Sequence, residues 1–218
     1  LKLNKDEIDV AYLNRPHIAT KYVDFIKENT NIKVIYYGHD LHFLRLGREY
    51  ELTGDIDIKR EADYWKAIEL SMMRKAAISY YLEINAIHAI DRSIKAKAIT
   101  AYVYDHFLGD IQEDFAKREG LLFVGGFAHP PNADAVLWFA KEIFPHIREQ
   151  LPDIKFYVVG SKVTDEIKAL EQPGNGIIIK GFVSEEELAG LYASCKVVVV
   201  PLRYGAGVKG KVVEAIYN

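Results

Sequence analysis

An unbroken β-branched run, Lys196-Val197-Val198-Val199-Val200, leads into Pro201-Leu202-Arg203-Tyr204-Gly205-Ala206-Gly207-Val208-Lys209-Gly210-Lys211, and then into Val212-Val213-Glu214-Ala215-Ile216. The first run reads as a buried parallel strand. The middle is a turn with three glycines and two lysines, and the last run opens a helix. Strand, glycine-rich turn and helix in that order is how an α/β protein builds an anion site. Glycines let the backbone come close, the first helical N–H groups lack internal partners, and the helix dipole favours negative charge there. Lys209 and Lys211 add full positive charge, so the stretch reads as a seat for a diphosphate. A flexible surface turn carrying solvated lysines is the alternative that this stretch alone leaves open.

The chain has 218 residues, half of them hydrophobic and about a quarter charged. That is enough for one large or two small domains with a sizeable core. A net charge of -3 gives no electrostatic reason to expect nucleic acid as a partner. The single cysteine, Cys195, excludes an intramolecular disulfide and a Cys-rich zinc site, and fits a reducing, cytoplasmic setting. It precedes an apolar strand and reads as a small buried hydrophobe. No apolar run has the length of a membrane span, and Leu1-Lys2-Leu3-Asn4-Lys5 is no signal peptide. Asn218 falls inside the helix that should follow the glycine turn, which suggests a fragment of something larger.

Along the first part of the chain, strands are expected at 8–13, 32–37, 77–82 and 98–103. Helices are expected from 18 to about 29, over 55–74 and over 83–91, and 41–54 reads as a loop with a short helix. The polar, irregular stretch from Asp105 to Glu119 marks the domain boundary, dividing the chain into 1–112 and 113–218. A second series follows, with strands at 121–124, 155–159, 176–180 and 196–200. Asn132 is placed to cap a long helix kinked at Pro145. Asp165 to Leu170 forms a short helix, and Ser184-Glu185-Glu186-Glu187 is a capping box. Alternating strands and helices imply an α/β fold of two Rossmann-like parallel sheets. Ligands of such sheets bind at the carboxyl ends of the strands. The loops at Gly125-Gly126, Gly160-Ser161, Gly181-Phe182 and Gly205-Ala206-Gly207 should therefore line one edge suited to a nucleotide.

Several of these runs resemble the nucleotide-sugar-dependent glycosyltransferases of family 4 (group 1), which have the GT-B fold of two facing Rossmann-like domains. The carriers are Leu122-Phe123-Val124-Gly125-Gly126-Phe127-Ala128-His129-Pro130-Pro131-Asn132, Gly181-Phe182-Val183-Ser184-Glu185-Glu186-Glu187-Leu188, and the stretch from Pro201 to Ala215. Ile35-Tyr36-Tyr37-Gly38-His39-Asp40-Leu41-His42-Phe43-Leu44-Arg45 also looks like one branch of that family. Single motifs are weak; all of them in order, at family-like intervals, are specific. On this resemblance 1–112 is the back of an acceptor-side domain and 113–218 the front of a donor-binding domain, both incomplete.

The resemblance implies transfer of a sugar from a nucleotide-diphosphate donor to an acceptor hydroxyl, with retention at the anomeric carbon. A nucleotide-sugar 2-epimerase of the same architecture and a non-catalytic nucleotide-binding module are the competing readings. The implied partners are a nucleotide sugar and a glycan, lipid-linked or small-molecule acceptor, with room for peripheral membrane association through segments outside this sequence. No cofactor or metal is required, so protein groups must stabilise the leaving diphosphate. Lys209, with Arg203 or Lys211, fits that role, helped by the N–H groups of Gly207, Val208, Lys209 and Gly210. Gly125, Gly126, Gly160, Gly181, Phe182, Val183 and Gly205 complete the expected donor site. Glu214 matches the second glutamate of the family's Glu-x7-Glu pattern, which accepts from ribose hydroxyls. The first, a donor-sugar contact, falls on Ala206. Gly126 and Pro131 stand near the places of a basic pair that the family often carries, and the lysines of the last loop compensate.

His39 corresponds to a histidine that the family places near the transferring sugar, and with Lys209 it forms the expected catalytic pair. From spacing alone it reads equally as a turn residue hydrogen-bonded locally. Asp40, His42 and His129 are weaker candidates. Tyr204 shapes the loop, His88 is a core or surface histidine, and Tyr80-Tyr81 is strand packing.

Overall fold

The computed structural model describes residues 7–99, 114–207 and 209–218. These fall into two compact units: residues up to 99 together with 204–207, and 114–203 together with 209–218. The boundary expected after residue 112, the end of the strand expected to reach Val103, and Val208 lie outside the described residues.

In the first unit β1 (Val10–Asn14), β2 (Lys33–His39), β3 (Ile78–Tyr81) and β4 (Ala96–Ala98) pair in that order, all parallel. The helices are α1 (Pro16–Ala19), α2 (Val23–Asn29), α3 (His42–Thr53), α4 (Ile56–Lys75) and α5 (Ile84–Ile90). Alternation along β2 sends Val34 and Tyr36 inward, where they join Ile26, Leu41, Met72, Met73, Tyr81 and Ile87 in one core. Each such side chain removed from water contributes roughly 1.5–3 kcal/mol before the entropy of ordering it is counted.

Two expectations change here. The segment 41–54 is a full helix of 12 residues rather than a loop with a short helix, closed by Gly54 in the left-handed region at φ 71°. Its opening N–H groups are met from afar: Glu69, on α4 and wholly buried, accepts from the N–H of His42 at 3.0 Å and of Phe43 at 3.2 Å. A cap supplied by tertiary structure leaves no mark in local sequence. The helix expected from 18 to about 29 ends where expected, at Asn29, but is divided into α1 and α2.

The second unit holds β5 (Leu121–Val124), β6 (Phe156–Val159), β7 (Ile177–Gly181) and β8 (Val197–Val198), parallel and ordered β7-β6-β5-β8. Around them lie α6 (Pro130–Trp138), α7 (Phe144–Gln150), α8 (Asp165–Lys168), α9 (Glu185–Ser194) and α10 (Gly210–Tyr217). Ser184 caps α9 as its motif requires, its Oγ accepting from the Glu187 N–H at 3.1 Å. The valine run is a short strand at the end of the described sheet, with Val197 47% exposed, and not the buried strand its composition suggests. The kink at Pro145 takes the form of a wide turn of π type over Phe139–Ile143 between α6 and α7. It lets both Phe139 and Phe144 face Phe156, with ring centroids 4.9 and 5.5 Å away. Asn132 does not cap α6, which begins two residues earlier at Pro130.

Candidate functional site

Three loops leave the carboxyl ends of β5, β6 and β7 side by side. The N–H of Gly125 donates to the Val159 carbonyl at 2.9 Å, that of Phe127 to Ser161 at 2.9 Å, and that of Gly160 to Gly181 at 2.8 Å. Side chains are excluded where these backbones meet: a Cβ on Gly160 would lie 2.0 Å from the Gly125 carbonyl oxygen. The chain runs outward from β5 through β6 and β7 and returns on the other side of β5 as β8. Strand order thus reverses at β5, the place where open α/β sheets bind ligands. Gly125-Gly126 leave the sheet at that point.

Lys211, in the first turn of α10, reaches the same point. Its Nζ donates to Oδ1 of Asn132 at 2.7 Å and stands 4.2 Å from the centroid of the Phe123 ring. Asn132 in turn donates from Nδ2 to the Gly126 carbonyl at 2.8 Å. Among the described residues no carboxylate lies within ion-pair distance of this ammonium. Burial pushes its pKa down to about 8, the charge of Lys209 pushes the same way, and Glu214 opposes both. A half-buried cation without a carboxylate, beside the start of a helix, is an arrangement that favours an arriving anion.

The other predicted donor-site residues of this unit are placed as follows. Arg203 clasps the Asp134 carboxylate through Nε and Nη2, and its guanidinium lies 5.8 Å from the Trp138 ring centroid. Glu214 accepts from the Tyr192 hydroxyl at 3.1 Å, and burial with the nearby carboxylate raises the tyrosine's pKa. Phe182 follows Gly181, which has φ 68°, and is 83% exposed. Val183 is half-buried against the Leu122 and Tyr192 cluster.

Gly205 and Gly207 group with the first unit. There Arg48 donates to the Gly205 carbonyl, and the Gly207 N–H donates to Oε2 of Glu83 at 3.0 Å. Arg48 and Glu83 are themselves paired at 3.2 Å, and Ala206 is buried in the first core. In this arrangement the Gly207 N–H, expected to face phosphate, is taken by a carboxylate. His39 is close by in the same unit: a Cβ on Gly207 would lie 3.7 Å from its carbonyl oxygen.

His39 has φ 67°, an uncommon value for a residue with a side chain, at a register shift between β2 and β3. Gly38 before it lies against the Tyr81 ring, where a Cβ would come within 1.9 Å of the hydroxyl oxygen. The imidazole sits 2.6 Å from Oδ1 of Asn14 through Nε2, and partial burial and Arg15 lower its pKa against the opposing Asp40. His42 is tied at Nδ1 to Oε1 of Glu69 at 2.9 Å, which raises its pKa, and it stacks on Trp65. Among the described residues no group of three or more His, Cys, Asp or Glu side chains is placed to hold a metal ion. No described helix is long and apolar enough to cross a membrane.

Residues 118–217 match the family described as glycosyl transferases group 1. That match covers a little under half of the chain. An uncharacterised 44.6 kDa protein of the cps region of Klebsiella pneumoniae is 31% identical over 103 residues, covering 45% of this chain and 26% of that protein. Among solved structures, sucrose-phosphate synthase from Thermosynechococcus elongatus matches at a TM-score of 0.66 and 15% identity, over 95% of this chain and 53% of that one. A trehalose-6-phosphate synthase matches at 0.67 and 10%, over 96% and 56%. A TarM variant from S. aureus, solved with Fondaparinux, alpha-GlcNAc-glycerol and UDP, matches at 0.65 and 15%, over 99% and 42%. At such identities the likeness is one of fold: two Rossmann-like units of the GT-B type. The chain spans about a quarter of the curated relative and about half of the solved ones.

In the segment that matches this family, the sequence pointed to Gly125, Gly126 and Lys211 but not to the residue that joins them. Asn132 carried a helix-capping signal, and its distance from Lys211 in sequence hid the contact. Phe123, under the ammonium, read only as core. Both become visible once β5, α6 and α10 are placed together.

Proposed function

We propose that the chain carries the donor site of a glycosyltransferase that moves a sugar from a nucleoside diphosphate to an acceptor hydroxyl, with retention at the anomeric carbon. The observation that carries this reading is the Lys211 ammonium, half-buried at the strand-order reversal with an amide and, among the described residues, no carboxylate for a partner. When the bond from the anomeric carbon to the diphosphate breaks, the electron pair leaves with the oxygen, and negative charge grows on the diphosphate. A cation already desolvated stabilises that charge without reorganising water. Lys209 adds positive charge beside it. The start of α10 presents N–H groups in the same region.

Phe182, exposed beyond β7, offers a face for the base, and Glu214 keeps Oε1 for ribose hydroxyls while Oε2 accepts from Tyr192. Arg203, engaged with Asp134, is better suited to stiffening the loop after β8 than to meeting phosphate. His39 is the catalytic candidate of the first unit; its strained backbone is the kind that persists where a side chain must be held in one direction. The TarM complex makes uridine sugars the first donors to try. The acceptor is a glycan, a lipid-linked sugar or a small molecule.

Calorimetric titration with UDP, GDP and their sugars, alongside release of nucleoside diphosphate in the presence of candidate acceptors, tests the proposal. Diphosphates should bind more tightly than the matching monophosphates, and the product should keep the donor's anomeric configuration by NMR. Equal affinity for mono- and diphosphates, or no binding, would overturn it.

A further inference from the structure

We infer that Asn132 is the positioning residue of this site: its side-chain amide, fixed between the Gly126 carbonyl and the Lys211 ammonium, holds that ammonium over Gly125 to receive a diphosphate. The inference rests on the donor-site reading above and adds the group on which its geometry depends.

The orientation of the amide follows from its partners. An ammonium only donates and a carbonyl only accepts, so Oδ1 must face Lys211 at 2.7 Å and Nδ2 must face Gly126 at 2.8 Å. The Asn132 backbone N–H is independently engaged with the His129 carbonyl at 2.9 Å. Its side chain therefore serves neither the helix start nor solvent, being 7% exposed between the buried Pro131 and Ala135. A polar side chain so buried needs every hydrogen bond it makes, and this one divides them between a loop carbonyl and a lysine 79 positions away.

Space is as restricted as polarity. A Cβ on residue 125 would lie 2.5 Å from Lys211 Nζ and 2.9 Å from both Cγ and Nδ2 of Asn132, so glycine, amide and ammonium are in three-way contact. Phe123 closes the underside. A lysine left to itself loses considerable rotamer entropy when it is held in one conformation. Here the amide and the ring offset that loss before ligand arrives.

The partner's neutrality matters as much as its position. A carboxylate in place of the amide would neutralise the ammonium that the site presents, and could not donate to Gly126. An aliphatic side chain would leave both neighbours unmatched. Only an amide of this length restrains the cation while leaving its charge for a ligand. The charged groups facing Lys211 from its own helix and turn are Glu214 and Lys209.

The test uses Asn132→Leu and Asn132→Asp with two readouts: UDP affinity by calorimetry, and titration of the Lys211 side chain by NMR of lysine-labelled protein. In Asn132→Leu, UDP affinity should fall roughly tenfold, the loss of one hydrogen bond to a charged group, and the Lys211 signal should lose its shifted, ordered position. In Asn132→Asp the Lys211 titration should move upward while UDP affinity falls further, which loss of packing alone would not produce. If Asn132→Leu proves unfolded by circular dichroism, the aspartate variant decides through the opposed directions of its two readouts. UDP affinity and Lys211 signal both unchanged from wild type would overturn the positioning role with the donor-site reading intact. Absence of diphosphate binding in the wild type would instead overturn the donor-site reading, while the Lys211 signal in Asn132→Leu would still judge the restraint.

Discussion

A Cβ on residue 125 would stand 2.5 Å from the ammonium of Lys211, so the missing side chain of Gly125 is what lets that ammonium reach the end of β5. The obstacle in a Gly125→Ala variant is the tip of a flexible lysine, with the Asn132 amide at 2.9 Å. The protein should therefore fold, with Lys211 displaced. Diphosphate affinity is expected to drop by roughly a factor of ten with little change in the unfolding midpoint, measured by titration and thermal melting on the same sample. Full affinity in a folded variant would show that Lys211 need not occupy this position.

Gly160→Ala should behave in the opposite way. Its Cβ would meet the carbonyl oxygen of Gly125 at 2.0 Å, and both loops are pinned at the strand ends by the Gly125–Val159 and Gly160–Gly181 hydrogen bonds. A loss of roughly 1–3 kcal/mol or more is expected in urea unfolding, as for other overpacked sites. A variant as stable as wild type would mean that the β5 and β6 loops can separate cheaply.

Lys211 should be a liability for stability. Its pKa of about 8 in the folded chain lies below the unfolded value near 10.5, so the folded state disfavours the charged form. This contribution is unfavourable at neutral pH and diminishes as pH rises from about 8 toward 10.5. Lys211→Met keeps the apolar stem over Phe123 and removes the charge. Loss of the hydrogen bond to Asn132 is a pH-independent cost, so the signature is the slope: stability of the variant relative to wild type should fall as pH rises from about 8 toward 10.5, by up to roughly 2 kcal/mol. A stability difference that does not change with pH over that range would contradict the desolvated-cation account.

How far the sequence alone reached is clearest at two places. The capping box at Ser184 and the glycines ending β5, β6 and β7 were legible because each is a local pattern with a local cause. Helix α3 was not, because its first N–H groups are satisfied by Glu69, 27 residues from His42. The site divides along the same line. Lys211 could be named from its turn, but its partnership with Asn132 could not, since the contact exists only after α6 and α10 meet. The valine run read as buried because composition reports apolarity and not strand position, and β8 lies at the end of the described sheet.

The Glu69 carboxylate, with no exposed surface, makes a pH-dependent contribution through His42. The hydrogen bond to Glu69 raises the His42 pKa above its ordinary 6.5. The resulting stability is fully present below the unfolded value and is lost as pH rises through the folded one. Glu69→Gln should thus cost most near pH 6, roughly 1.5–3 kcal/mol for hydrogen bonds to a charge, and less near pH 9. Urea unfolding of both proteins across that range measures the difference; a gap that stays constant or widens with pH would exclude the His42 coupling.

Titrating wild type and Lys211→Met with UDP at pH 7, on samples shown to be folded, addresses the anion seat itself. The account predicts clear binding by wild type and an affinity at least roughly tenfold weaker without the ammonium. Equal affinities in the two proteins would contradict it.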